Sequence, residues 1–151
     1  MILPIVQHPD PVLRQLCQPV FDVAGLGGLI VDMFDTMYDA QGRGLAAPQV
    51  GRSERVFVMD CTWKEGERTP LAMINPEILS RSRGQQRNEE GCLSIPDHPV
   101  EVERPERIEM TWTDAQGTQR RGAFDGIEAA CVLHEIDHLD GVLILDYEVP
   151  A

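Results

Sequence analysis

The motif His-Glu-Ile-Asp-His at residues 134–138 constrains this chain most, because its two histidines can act together only on a helix. Side chains at positions i and i+4 lie one above the other on one helical face, so both imidazoles can reach one metal ion. Glu135 can then approach a metal-bound water and exchange its proton. Asp137 is predicted to pair with an arginine, for which Arg104 is the candidate. The motif therefore predicts a metal-binding helix with a catalytic carboxylate.

The residues around this motif define the predicted helix. Asp125 and Glu128 have the spacing of a capping box, which predicts the start, and Gly141 stands where a C-cap is expected. Ile127 and Cys131 precede the histidines at helical spacing, so this face is predicted to point inward. Two ordinary inward histidines without partners would be costly to bury, which favours a metal site.

The segment after the motif offers no recognisable third ligand. Gly141 matches the glycine of the longer pattern HExxHxxGxxH, but its last position is Ile144, which cannot bind metal. The carboxylates left in this segment are Asp140, Asp146 and Glu148. No known spacing places any of them, so we expect the third ligand upstream.

Cys92 is the best upstream candidate for the third ligand. A thiolate suits a borderline-soft divalent ion, and one cysteine with two histidines leaves a fourth position open for water. The other cysteines, Cys17, Cys61 and Cys131, are interpreted as buried core residues.

A glycine-rich segment, GRGLAAPQ at residues 42–49, is a further candidate. Its small residues allow backbone to approach a ligand closely, and Gln49 adds an uncharged amide at its end. The segment lacks the lysine and hydroxyl residue of a phosphate-binding loop. A tight turn from helix to strand explains the same residues, and both interpretations stay open at this point.

The remaining patterns indicate an α+β fold. Apolar residues recur at helical spacing over residues 26–40. Short apolar or alternating runs predict strands at 55–60, 71–79, 100–104, 107–113 and 118–124, with a turn at 114–117. Several strands with one late helix predict antiparallel sheets packed around the central metal-binding helix, with no extra helix after it.

Length and charge narrow the function classes. The 151 residues fit one domain, residues 1–151, and the net charge of −12 argues against direct binding to nucleic acid or anionic membranes. Neither a signal peptide nor a membrane-spanning run is recognisable, so a cytoplasmic location with free thiols is expected.

Three segments, in this order, resemble the three motifs of the peptide deformylases: residues 42–49 (GRGLAAPQ), 90–94 (EGCLS) and 134–138 (HEIDH). The surrounding residues 10–14, 32–38, 104–113 and 138–141 also resemble the family, so the similarity covers nearly the whole chain. Ordered motifs with metal-ligand chemistry make this a specific resemblance.

The resemblance implies a metal-dependent hydrolase that removes the N-formyl group from the N-terminal methionine of newly made peptides. Cys92, His134 and His138 would hold one divalent ion, most often Fe²⁺ in this family and replaceable by Zn²⁺, Ni²⁺ or Co²⁺. Metal-bound water would attack the formyl carbon, with Glu135 as general base and then general acid.

The resemblance also implies the roles of residues around the metal. The Gln49 amide and the Leu93 backbone N–H would stabilise the oxyanion. Backbone at Gly44, Gly91 and Leu93 would hold the peptide substrate in an extended pose.

Some positions differ from the usual family pattern. Arg43 stands where an apolar residue is common, and Leu133 replaces a common glutamine. Some members carry a basic C-terminal helix that docks on the ribosome. Because thirteen residues follow His138, we expect no docking by such a helix here.

Two other functions are compatible with part of the pattern. An HExxH metallopeptidase would share the helix motif, but the usual third ligand is missing. A deformylase-like paralogue with altered substrate preference would keep the motifs and differ in its pocket.

Overall fold

Seven strands and two α-helices form an α+β fold in the computed structural model, which describes residues 1–148. The helices are α1 (Gly27–Asp39) and α2 (Gly126–Leu139). The strands are β1 (Gly44–Ala46), β2 (Val56–Met59), β3 (Leu71–Arg81), β4 (Gln85–Cys92), β5 (Ile95–Pro105), β6 (Arg107–Thr113) and β7 (Gln119–Asp125). They form an antiparallel five-stranded sheet in the order β1-β2-β3-β6-β7 and an antiparallel β4-β5 pair. The predicted fold class is confirmed.

Strand β2 is buried on both faces, which explains its continuous apolar sequence VFVM. Successive strand side chains point to opposite faces. Val56 and Val58 belong to the core that α1 covers, whereas Phe57 and Met59 belong to the core that α2 covers. The sheet therefore separates two helices, and α2 lies on the face opposite α1.

The apolar spacing of each helix accounts for its packing. In α1, Ile30, Met33 and Met37 recur at three and four residues and are buried against β1 and β2. The helix α2 buries Val132, Leu133, Ile136, Leu139 and other residues in the core that contains Phe57 and Met59. The predicted central position of α2 is therefore confirmed. No helix in residues 1–148 is long and apolar enough to span a membrane.

The start of α2 differs from the prediction. Asp125 occupies the N-cap position, but its side chain makes no capping hydrogen bond. It lies opposite Arg107 in the β6-β7 register, and its carboxylate is 3.5 Å from that guanidinium. The predicted capping box is therefore wrong: the Asp125 carboxylate faces Arg107 across the strands and makes no bond to the start of α2.

Two strands were not predicted. β1 lies within the glycine-rich segment and pairs with β2, so that segment is a strand followed by a short 3-10 turn at Ala47–Val50. β4 has polar residues on both faces, although exposure alternates along it. Backbone pairing with β5 holds this strand, and such pairing leaves no hydrophobic pattern in the sequence.

The chain continues from α2 into a 3-10 turn at Ile144–Tyr147. Between the end of α2 and Glu148 there is no further α-helix, as predicted for this part of the chain. The prediction for the last three residues, 149–151, lies outside the described residues.

Candidate metal and catalytic site

Cys92, His134 and His138 come together at the end of β4 and along α2. One ligand atom of each lies within 4.8 Å of the others, and Cys92 Sγ is 3.3 Å from His138 Nε2. The helix places the two imidazoles with their ring centroids 5.1 Å apart, as the i, i+4 spacing predicts. The pairing of β4 with β5 brings the cysteine to them. The structure thus assembles the three predicted ligands.

The chemistry of this group fits a borderline-soft divalent cation. One sulfur and two imidazole nitrogens form a common catalytic ligand set that leaves a position open. Burial lowers the pKa of His138, which keeps its imidazole neutral and its lone pair available. Although burial opposes charge at His134, Glu135 and Cys92 raise its pKa to about 10. The surroundings therefore favour positive charge at the place where a cation would bind.

A buried ion network holds His134 in its orientation. Glu90 Oε1 accepts a hydrogen bond from His134 Nδ1 at 2.9 Å, which leaves Nε2 for the metal position. Arg104 donates to both oxygens of Glu90, at 2.6 and 2.9 Å, and to Asp137 at 3.0 Å. The Tyr147 hydroxyl also donates to Asp137, at 2.7 Å. The predicted pair of Asp137 with Arg104 is present, within a larger network.

Sequence reasoning missed Glu90 and Tyr147 as parts of this network. Glu90 lies in the EGCLS segment, but only its alternation with Asn88 and Gln86 along β4 marks it as inward-facing. Tyr147 is placed by the turn after α2 and carried no signal. An inward carboxylate two residues before a candidate ligand is the feature that could have identified Glu90.

The charge of Glu90 predicts a pH dependence of stability. Although burial disfavours its charge, hydrogen bonds from Arg104 and His134 lower the pKa of Glu90 to about 2, from an ordinary value of 4.5. Its stabilising contribution is complete above the ordinary pKa and is lost as pH falls through the lowered one. In urea unfolding of metal-free protein, Glu90→Gln should be less stable than the unaltered chain near neutral pH, and the difference should shrink between about pH 4.5 and 2. A difference that does not change over this range would contradict the assignment.

Glu135 is buried beside the ligands, with its side chain against the backbone of Gly44. Its carboxylate is 3.9 Å from His134 Nε2, and Oε1 has no hydrogen-bond partner among the described residues. Burial raises the pKa of Glu135 to about 7. A carboxyl group of this kind can both accept and return a proton near neutral pH.

Gly44 is required by the close approach of Glu135. A Cβ at position 44 would meet the Glu135 carboxylate, with only 2.9 Å to Cδ and 3.2 Å to Cγ. Gly44→Ala should therefore displace the carboxylate, lower the stability by about 1–3 kcal/mol and reduce turnover. Thermal unfolding and an activity assay measure the two effects. Gly28→Ala is the matched control, because a Cβ there meets nothing within 4 Å and the substitution should leave turnover unchanged.

Gln49 presents its amide nitrogen to the site. The Ala46 N–H donates to Gln49 Oε1 at 3.0 Å, which fixes the orientation of the amide. Gln49 Nε2 in turn lies 3.1 Å from Ser94 Oγ and 3.7 Å from Cys92 Sγ. The segment 42–49 thus brings both a glycine and an amide donor to the candidate ligands.

A cavity of about 450 Å³ opens beside these residues. Gly44, Gln49, Gly91, Leu93 and Glu135 all line it, so the predicted catalytic and substrate-binding residues share one space with Cys92 and His134. Leu93 lies in the turn between β4 and β5. A Cβ on Gly91 would meet nothing within 4 Å, so packing does not require glycine there.

The first turn of α2 forms another wall of the cavity. Ile127 lies on the same helical face as the histidines, as predicted. It is 54% exposed rather than buried, because it borders the open cavity. Cys131 is half-buried and also lines the cavity, as does Cys61. Arg43 borders the same space and forms an ion pair with Glu65 at 3.0 Å. The cavity thus has apolar, thiol and cationic groups next to the candidate metal ligands.

Comparisons with known proteins agree on one family. A sequence model described as "Polypeptide deformylase" matches residues 2–150. A "Peptide deformylase" of Alkalilimnicola ehrlichii is 52% identical over 147 residues, covering 97% of this chain and 82% of that protein. One from Rhizobium meliloti is 47% identical over 147 residues, with 97% and 84% covered. The crystal structure of peptide deformylase from Thermotoga maritima has a TM-score of 0.92 and 43% identity, and the match covers 99% of each chain.

Proposed function

The chain belongs to the peptide deformylase family of hydrolases, and we propose that its site removes the formyl group from N-terminal formyl-methionine of newly made peptides. One observation carries this proposal. Cys92, His134 and His138 converge within 4.8 Å beside a cavity that Glu135 and Gln49 also line. The ligands, a proton-exchanging carboxylate and an amide donor are the groups that hydrolysis of a formamide needs.

Cys92, His134 and His138 would hold the divalent ion, for which Fe²⁺ is the proposed native species and Zn²⁺, Ni²⁺ and Co²⁺ are substitutes. When bound, such an ion supplies Lewis-acid polarisation of a carbonyl oxygen and of a water molecule. Glu90 keeps the Nδ1 proton of His134 in place, so the other ring nitrogen would be available to hold the ion.

Glu135 is proposed to carry the proton through the reaction. Its carboxylate would accept the proton of the attacking water and return it to the amine nitrogen of the leaving peptide. The raised pKa of the buried carboxyl matches both directions of transfer near neutral pH. Its burial against Gly44 limits its movement.

Gln49 and Leu93 are proposed to stabilise the oxyanion. The Ala46 N–H fixes the orientation of the Gln49 amide, whose nitrogen lies 3.7 Å from Cys92 Sγ. The Leu93 backbone N–H is proposed as the second donor. Strand β1 at Gly44 and strand β4 at Gly91 flank the cavity. An extended peptide there could form backbone hydrogen bonds with these strands.

A metallopeptidase is the alternative use of the same helix motif. The third ligand expected of that class follows the motif, whereas here Cys92 of β4 lies beside the two histidines and would serve as the third ligand. We therefore expect action on the formyl group and not on internal peptide bonds. Because a charge of −12 opposes contact with nucleic acid, we also propose no direct binding of nucleic acid. The proposed location is the cytoplasm.

Formate release tests the proposed function. Protein purified without oxygen in the presence of Fe²⁺ or Ni²⁺ should release formate from formyl-Met peptides and leave their unblocked counterparts uncleaved. Metal content is measured on the same sample. Failure to release formate from metal-loaded protein would overturn the proposal, and cleavage of unblocked peptides would favour the metallopeptidase.

A further inference from the structure

Two cysteines outside the ligand set face the cavity together. Cys61 follows β2 and is 5% exposed, whereas Cys131 lies on α2 and is half-buried. Cys61 belongs to the core beneath α2, Cys131 packs against that core, and both residues line the cavity. The proposed deformylation uses neither thiol.

Arg43 contacts both segments that carry these cysteines. Its carbonyl accepts hydrogen bonds from the Cys131 thiol at 3.7 Å and from the backbone N–H of Asp60 at 2.8 Å. Its guanidinium donates to the carbonyl of Cys61 at 3.2 Å. Because Asp60 directly precedes Cys61, this residue fixes both thiol-bearing segments relative to each other.

The surroundings make the two thiols unequal. Its neighbour Cys131 is the largest cause that lowers the pKa of Cys61, and the nearby charge of Arg43 acts in the same direction. The neighbouring Cys61 and burial raise the pKa of Cys131. Thiolates attack disulfides, so Cys61 is suited to attack first and Cys131 to resolve the product.

We propose that Cys61 and Cys131 form a reactive thiol pair, which low-molecular-weight disulfides convert into an intramolecular disulfide inside the cavity. The Cys61 thiolate attacks one sulfur of the disulfide RS–SR, the S–S bond breaks, and one RS⁻ leaves. The Cys131 thiol then loses its proton and attacks the Cys61 sulfur of the mixed disulfide, releasing the second RS⁻. The protein loses two electrons and two protons, and the reagent becomes two thiols.

The cross-link would affect access to the neighbouring candidate metal and catalytic site. Cys131 lies one helical turn before His134, and the bond would tie α2 to the segment after β2 across one wall of the cavity. We therefore expect substrate access to fall when the bond forms. This consequence for activity rests on the proposed function, whereas formation of the bond does not.

The test uses Ni²⁺-loaded protein, whose Cys92 is protected by the metal, with bis(2-hydroxyethyl) disulfide as the probe. Intact mass and peptide mapping should show loss of two hydrogens and a link between Cys61 and Cys131. Formate release should fall in proportion to the cross-linked fraction and return after dithiothreitol. A probe-treated protein that lacks this link, or links another pair of cysteines, overturns the proposal.

Single substitutions show which cysteine attacks the probe first and which one resolves the mixed disulfide. Cys131→Ser should stop at a mixed disulfide on Cys61, and Cys61→Ser should prevent the cross-link. Cys17→Ser is the control, because Cys17 is buried away from the cavity lining and the cross-link should still form. If Cys131→Ser and the unaltered chain give the same product, the resolving role of Cys131 is refuted. Absence of formate release before treatment contradicts only the proposed function, since the mass measurement still decides the thiol pair.

Discussion

Glu135→Gln should keep its metal and lose about 10²- to 10⁴-fold in kcat, the usual contribution of general acid–base catalysis. The amide preserves the size of the side chain in its buried position against Gly44 but cannot take a proton from water. KM for a formyl-Met peptide should change little, because Glu135 is proposed to act on the proton and not on peptide binding. Formate-release kinetics and metal analysis of the same preparation measure these effects.

The control for this prediction is Glu89→Gln. Glu89 also lines the cavity, but it is not part of the ion network or the ligand set. This substitution removes the same charge from the cavity wall and should leave kcat within a fewfold of the unaltered chain. Equal losses in both variants, or a Glu135→Gln protein that has lost its metal, would refute proton transfer by Glu135.

Arg104→Ala should destabilise the protein by about 3–5 kcal/mol, which is typical when one partner of a buried ion pair is removed. Arg104 is 4% exposed and bridges Glu90 and Asp137. Without it, two carboxylates remain in a poorly hydrated region with no cation. Because Glu90 also orients His134, metal affinity should fall as well. Urea unfolding of metal-free protein measures the stability, and chelator competition measures the affinity.

Arg107→Ala is the matched control for the buried network. Arg107 also pairs with a carboxylate, that of Asp125, at 3.5 Å, but both side chains are exposed. An exposed ion pair contributes about 0–1 kcal/mol to stability. A loss at Arg104 no larger than the loss at Arg107 would contradict the role assigned to the network.

Asp137→Asn removes only one charge and retains the pairing of Arg104 with Glu90, so it should lower stability more than turnover per metal-loaded molecule.

Local patterns predicted the parts of this protein that depend on local geometry. The helical repeat of α2 follows from its apolar spacing, and the placement of His134 and His138 on one face follows from their four-residue separation. The alternating runs predicted β3, β6 and β7 for the same reason. In contrast, β4 is polar on both faces and owes its existence to pairing with β5.

The sequence by itself determined the chemistry of the site: two imidazoles, a carboxylate beside them, a thiol and an amide in segments that resemble one family. Only the tertiary structure decided how they meet. The β4-β5 pairing brings Cys92 to His138, and the same strand brings Glu90 to His134. The physical reason is distance along the chain. Contacts between residues a few positions apart follow from the helical repeat, whereas contacts more than forty residues apart exist only after the sheets and α2 have packed.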